Sequence, residues 1–310
     1  MERIQRAAGA VVGSAVGDAL GGPFEFGPQG AFSARFPASG DGGEMRGGGG
    51  WDPGEATDDT QMAVLVAESL LEQGGLDLPD IFARFQRWAA SDPKDIGLQT
   101  EDVLTNGMPW DLAAAIHFQV NQRAAGNGSL MRASTSAVHF AAAGQEATMD
   151  AARRIAALTH GDRAAWEGTA IFHDSSASRS RTPTPHRTPG HPRSCPPRPP
   201  RPLRHRPRAR LAPRSGDRVQ RRRLALPGSA VWALRTTNSY EDAIRAAIDL
   251  GGDTDTVAAV TGGLAGAYYG LDAIPVHWTQ PLHVPLPGFD GRVLHLEDLL
   301  HLAHRLEGGR

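Results

Sequence analysis

Thr57-Asp58-Asp59-Thr60-Gln61 stands directly before an apolar run in which Met62, Leu65, Val66, Ser69 and Leu70 recur at helical spacing. Far downstream the device returns: residues 251–256 read G-G-D-T-D-T and open a second helix, 257–269, built of small residues. Each acidic start has a local reading, since Thr57 suits an N-cap, worth roughly 0.5–2 kcal/mol, and acids in a first turn complement the helix dipole. Taken together, two acid-rich helix starts near opposite ends of the chain point to one shared site. A site made from both requires the ends to fold together, so the reading is one domain over residues 1–310.

The surrounding pattern is helical throughout. Residues 4–20 are rich in Ala, Val and Gly, which predicts a buried first helix that lets a neighbour approach closely, broken by Gly21, Gly22 and Pro23. Further helices are predicted over 78–90, 99–105, 109–118, 129–143, 146–159, 163–172, 240–250 and 297–306, and Ser239 to Asp242 fits a capping pattern. Strand-like alternation is almost absent. The fold class is therefore all-α: a compact many-helix single domain around a small-residue core. Residues 27–55 form a glycine-rich loop that lacks the G-x-x-x-x-G-K-[ST] spacing, so a P-loop is excluded.

The formal net charge of −2 hides an asymmetry. Residues 179–223 hold 15 arginines and one acid, Asp217, so this tract carries +14 and the rest of the chain −16. A body that acidic does not bind nucleic acid through its folded surface, whereas the tract could. Cys195 is the single cysteine, which excludes an intrachain disulfide and fits a reducing compartment. No run approaches the roughly 18 apolar residues of a membrane span. The N-terminus fails as a signal peptide, being too glycine-rich and carrying Asp18 where cleavage would fall, so a cytoplasmic location is expected.

Within the helical pattern one segment is foreign. Periodicity stops at His173, and residues 174–227 alternate Pro and Arg with no hydrophobic period, a composition that cannot bury a core and predicts disorder. A basic insertion, a solvated linker and a shifted reading frame in G+C-rich coding DNA all produce such a tract. The sharp edges and the helical pattern resumed after Pro227 favour the frame slip; resequencing that finds one continuous frame would remove it.

If Asp58, Asp59, Asp253 and Asp255 converge, they cannot all stay ionised without cations, because like charges raise one another's pKa. With the Thr57 and Thr256 hydroxyls they make an all-oxygen donor set, which suits Mg²⁺ or Mn²⁺ better than zinc. Six such ligands can support two ions, typically about 3.5–4 Å apart. Glu25, between Phe24 and Phe26 just past a helix end, reads either as an acid or base of raised pKa or as a turn glutamate. G-N-G-S-L-M-R at 126–132 reads as a turn with Ser129 as a cap, or as a donor loop ending in Arg132 that holds a phosphorylated or polyhydroxylated ligand. His160 closes a helix, where it favours the dipole. His295, His301 and His304 fall on the closing helix and lack an acid spaced to complete a zinc set.

These blocks, G-D-A-L-G-G-P-F-E at 17–25, T-D-D-T-Q, G-N-G-S-L-M-R, L-T-H at 158–160, and G-G-D-T-D-T with G-A-Y-Y-G ending at Gly270, resemble the ADP-ribosylglycohydrolase family. That family includes the dinitrogenase-reductase-activating glycohydrolases, and the resemblance covers 1–172 and 228–272 in order. It implies an all-helical hydrolase with a two-magnesium centre (Mn²⁺ in its place) that removes ADP-ribose from a protein side chain or a small conjugate. By the resemblance, Thr57, Asp58 and Asp59 ligate metal from one side and Asp253, Asp255 and Thr256 from the other, with Asp255 bridging. Glu25 falls on the acidic residue near the scissile bond, and Glu25 or Asp59 moves the proton. Asn127, Gly128 and Ser129 would cradle ribose or diphosphate, followed by Arg132 and His160. The Arg/Pro tract departs from the family, which has helices in that span. The runner-up function is the same fold binding ADP-ribose or metal without hydrolysis.

Overall fold

A computed structural model describes residues 1–37, 44–122, 126–181 and 225–308. At its centre lie two helices that are buried along almost their whole length, α1 (Arg3–Gly21) and a later partner, Thr254–Tyr269. They run antiparallel, and glycines at positions 9, 13, 17 and 21 of α1 form the seam. A Cβ at Gly13 would sit 2.6 Å from the Gly262 carbonyl oxygen, one at Gly21 2.5 Å from the Asp255 Cα, and those at Gly9 and Gly17 would overlap the carbonyls of Gly266 and Ala258. Each glycine costs about 1 kcal/mol of helix propensity, and here that permits backbone-to-backbone contact. The seam brings the C-terminal end of α1 against the N-terminal end of its partner.

The other elements wrap this pair in chain order. After a 3₁₀ turn, Gly22–Phe24, the glycine-rich loop contains a short helix, α2 (Ala31–Arg35), whose Phe32 packs edge-on against Phe24 and Phe36. Then come α3 (Asp58–Glu72), capped by Thr57, and α4 (Leu78–Ala89), capped by Asp77, which turns Ile81, Phe82, Phe85 and Trp88 inward. Trp88 Nε1 donates to Gln61 Oε1 at 2.8 Å, tying the two helices in the core. Next are α5 (Leu98–Thr105), α6 (Ala113–Asn121), α7 (Gly128–Met131), α8 (Ser134–Phe140), α9 (Gln145–Ala157) and α10 (Arg163–Arg181). The second half supplies α11 (Ala225–Thr236), α12 (Tyr240–Ile248, capped by Ser239), α13 (Thr254–Tyr269), α14 (Val276–Thr279), a two-stranded antiparallel hairpin of β1 (His283–Pro285) and β2 (Val293–His295), and α15 (Leu296–Gly308). The all-α class therefore holds.

Four expectations change. The single helix over 129–143 is divided at Arg132 and Ala133, where Ala133 N–H bonds the Leu130 carbonyl and the turn tightens. The helix placed at 109–118 begins later, at Ala113, because Pro109 instead opens a turn whose carbonyl accepts from Leu112 N–H. The helix predicted to stop at His173 runs on to Arg181, because His173, Ser176 and Ala177 fall on its buried face at i, i+3 and i+4. Ser136 Oγ and His173 Nε2 lie 3.0 Å apart, which partners one nitrogen of the buried imidazole. At its other edge the tract gives way to α11 at Ala225, and residues 182–224 lie outside the described residues. His295 belongs to β2, opposite His283, and not to the closing helix. No described helix is long and apolar enough to cross a membrane.

Candidate active site

The α1–α13 seam ends in acid. Asp18, fully buried on the last turns of α1, receives Thr57 N–H on both oxygens at 3.1 and 3.0 Å, Thr60 N–H at 3.0 Å and Thr60 Oγ1–H at 2.5 Å. A carboxylate on one helix thereby caps the first turn of another, fixing α3 with Asp58 and Asp59 at its start. Thr57 Oγ1 accepts from Asp59 N–H at 3.3 Å, as its N-cap position predicts. On α13, Asp255 Oδ1 accepts from Thr256 N–H at 2.8 Å, and Thr256 Oγ1 reaches Asp59 Oδ1 at 3.4 Å, so the two acidic starts meet.

Two groups of carboxylates result. Ligand oxygens of Asp58, Asp59 and Asp255 lie within 4.8 Å of one another, and so do those of Glu25, Asp95 and Asp255. Asp255 is common to both. Asp253 stands at the edge, where its carboxylate accepts a hydrogen bond from the Asn127 side chain. Asp95 arrives on the loop between α4 and α5, which Lys94 anchors through an ion pair with buried Glu55 at 2.7 Å.

Burial and mutual repulsion act together here. Desolvation first, then the neighbouring carboxylates, hold Asp58, Asp59 and Asp255 well above the ordinary carboxylate range. Desolvation also raises Asp95, and it pushes Asp18 up to about 6 against the hydrogen bonds that favour its charge. Glu25, half-buried, is pushed up to about 7 by desolvation, then by Asp95, Asp253 and Asp18. Asp59 Oδ2 is buried with no hydrogen-bond partner. An orphaned buried carboxylate oxygen inside an all-oxygen cluster fits a hard divalent cation, which would supply the missing positive charge.

The remaining candidates divide. Asn127 and Gly128 lie at the rim, and the loop rests on His160: a Cβ at Gly126 would come 3.1 Å from His160 Nε2, and one at Gly128 3.4 Å from its Cε1. Ser129 is turned inward, its hydroxyl 3.1 Å from that of Thr169. Arg132 is also in the core, over the Phe85 ring and donating to the Ile155 carbonyl at 3.2 Å and Thr159 Oγ1 at 2.7 Å. Burial pulls its guanidinium down to about 9, and the Asp58 charge opposes that. Sequence reasoning missed Asp18 and Asp95 as members of the cluster. The first has a signal, an acid within an Ala/Gly/Val helix face; the second sits in an ordinary polar loop and has none.

Comparisons with known proteins bear on the family and the fold. The ADP-ribosylglycohydrolase family pattern matches residues 1–176 and 204–310. The chain is 30% identical to an ADP-ribosylarginine hydrolase Tri1 of Serratia proteamaculans, over 91% of this chain and 76% of that protein. It is also 30% identical to an ADP-ribosyl-[dinitrogen reductase] glycohydrolase of Rhodospirillum rubrum, over 89% of this chain and 90% of that one. A solved structure described as an ADP-ribosylglycohydrolase-related protein complex superposes with a TM-score of 0.71 at 30% identity, covering 99% of this chain and 98% of the other. With the acid-rich starts of two distant helices joined at one buried cluster, the chain belongs to the ADP-ribosylglycohydrolase family.

Proposed function

We propose that this chain hydrolyses the glycosidic bond joining ADP-ribose to a modified protein side chain or a small conjugate, at a centre that works with two Mg²⁺ ions, or Mn²⁺ in their place. The observation that carries the reading is the sharing of Asp255 between two carboxylate groups, Asp58 and Asp59 on one side, Glu25 and Asp95 on the other. The names of the relatives that cover nine-tenths of the chain support the same chemistry. Thr57, Asp58, Asp59, Asp253, Asp255 and Thr256 would hold the cations, with Asp255 between them and Asp95 added to the set. When bound, such ions neutralise the cluster and polarise oxygen ligands.

The chain's own groups do the rest. A carboxyl with a pKa of about 7 can either hold or release a proton near neutral pH, which suits Glu25 to take the proton of the attacking water or hand one to the leaving group. Asp59, buried in the same cluster, is the second group proposed to take that proton, at an oxygen it does not give to a cation. The Asn127 side chain, tied to Asp253, aligns the 127–129 loop beside the acids, where Asn127, Gly128 and Ser129 can meet ribose or diphosphate with backbone N–H groups. His160 supports that loop from beneath, and Arg132 holds α9 against it from the core.

The test is release of ADP-ribose from an ADP-ribosylated arginine peptide in Mg²⁺ and in excess EDTA. Turnover in Mg²⁺ that disappears with EDTA and in Asp255→Ala is the expected result. Full turnover in Asp255→Ala would overturn the assignment.

A further inference from the structure

Two aromatic residues flank Glu25, and they are used in opposite ways. Phe24 is buried and packs edge-on against Phe32 and Phe36, so it belongs to the core. Phe26 is 82% exposed. Its backbone has φ of 59°, the left-handed region where an L side chain is strained and glycine is not. The conformation is set by a local turn, in which Gly27 N–H donates to the Phe24 carbonyl at 2.8 Å with Glu25 at φ −53° and ψ 136° and Phe26 at the positive-φ position of a type II turn. Phe26 N–H donates to the Gly252 carbonyl at 2.6 Å and Gly252 N–H returns a bond to the Gly27 carbonyl at 3.2 Å, which pins residues 26–27 against the start of α13. The ring is thus presented to solvent on a fixed, strained backbone, one residue from Glu25 and one hydrogen bond from the residue preceding Asp253. Core packing does not explain a phenylalanine there, because the ring buries almost none of its surface.

We infer that Phe26 is the acceptor-side contact of the site, an aromatic platform against which the planar cationic side chain that leaves ADP-ribose, a guanidinium, stacks as the bond is cut. The inference rests on the proposed glycohydrolase reading and specifies its substrate class. Three observations select this occupant. The acceptor is attached to a protein or peptide, so it must leave the cluster on the solvent side, and Phe26 is the ring beside Glu25 that faces solvent. Beside the ring stands the Glu25 carboxyl, whose oxygens can accept N–H bonds from a guanidinium. A ring face binds a flat guanidinium through cation–π and stacking contacts, which a small hydroxyl acceptor cannot make.

The experiment compares two substrates that share ADP-ribose, a peptide modified on arginine and one modified on serine, with wild-type protein, Phe26→Ala, Phe26→Gly and Phe26→Tyr in Mg²⁺. Phe26→Ala should lower kcat/KM for the arginine peptide by about five- to tenfold, mainly through KM, and by several-fold less for the serine peptide. Phe26→Tyr should restore the arginine rate. Inhibition by free ADP-ribose should keep its constant in all variants. Phe26→Gly, which relieves the left-handed backbone, should melt no lower than wild type while losing the same discrimination. Equal losses on both substrates, no loss on the arginine peptide, or a lowered melting temperature in Phe26→Gly would each overturn the platform while leaving the hydrolase reading intact. A wild-type chain that cleaves neither conjugate would overturn the hydrolase reading and the platform with it.

Discussion

Asp18 illustrates how a single side chain can set a site without being visible as part of it. Its carboxylate satisfies two backbone N–H groups and one hydroxyl of the first turn of α3, the donors a helix start leaves unpaired. Replacing it by Asn keeps the size but offers one acceptor oxygen where two are used, and it turns an amide N–H₂ toward donors. Asp18→Asn is therefore expected to destabilise the fold by about 1–3 kcal/mol, read as a lower urea midpoint at unchanged m-value. Because Asp58 and Asp59 hang from the same turn, Mg²⁺ affinity should fall with it. An unchanged midpoint would mean that Thr57 alone holds the turn.

Elements explain what a residue-level account cannot, namely why carboxylates so far apart in sequence meet. The glycine seam between α1 and α13 is the cause, and it makes a paired prediction. Gly13→Ala would gain helix propensity of about 1 kcal/mol, yet its Cβ would press on the Gly262 carbonyl at 2.6 Å and the Tyr240 ring at 3.1 Å, in a core that cannot relax. Net destabilisation of about 1–3 kcal/mol is expected. Gly168→Ala, on α10 with nothing within 4 Å of its Cβ, should instead stabilise by about 0.5–1 kcal/mol. Both are measured by denaturant unfolding, and equal signs would refute the seam. Legibility divides along the same line. The caps at Thr57 and Ser239 and the buried small-residue first helix could be read from sequence, because local chemistry and pattern carry them, whereas the meeting of the two acidic starts could be posed from their likeness only as a condition. The break at Arg132 could not, because it accompanies a guanidinium that bonds a carbonyl of α9, a tertiary fact. The run of α10 past His173 was hidden because polar His173 and Ser176 are buried by the face they fall on, not by their type. Asp95 reaches the cluster on a loop that the Lys94–Glu55 ion pair anchors, which no spacing announces.

At the scale of the whole molecule, the site is built across the Arg/Pro tract: Asp18, Glu25, Asp58, Asp59 and Asp95 precede it, and Asp253 and Asp255 follow. Assembly of the cluster is thus a test of whether the two halves fold together. Without cations, folding gathers carboxyls whose pKa values rise, Asp18 from 3.8 to about 6 and Glu25 from 4.5 to about 7, with Asp58, Asp59 and Asp255 also raised by burial and by their neighbours. A folded state that binds more protons than the unfolded one loses stability as pH rises through the window between the two pKa values, and the penalty is complete above the folded value. In EDTA the chain should therefore melt higher at pH 5.5 than at pH 7.5. Divalent cations compete with those protons, so millimolar Mg²⁺ should raise the melting temperature more at pH 7.5 and flatten or reverse the order. ADP-ribose added with Mg²⁺ should raise it again, by about 2.7 kcal/mol of stability at one hundred times its dissociation constant. One cooperative transition that follows this pattern requires both acidic starts to meet in solution. A transition indifferent to pH, Mg²⁺ and ADP-ribose would mean that the halves on either side of the tract do not assemble the site.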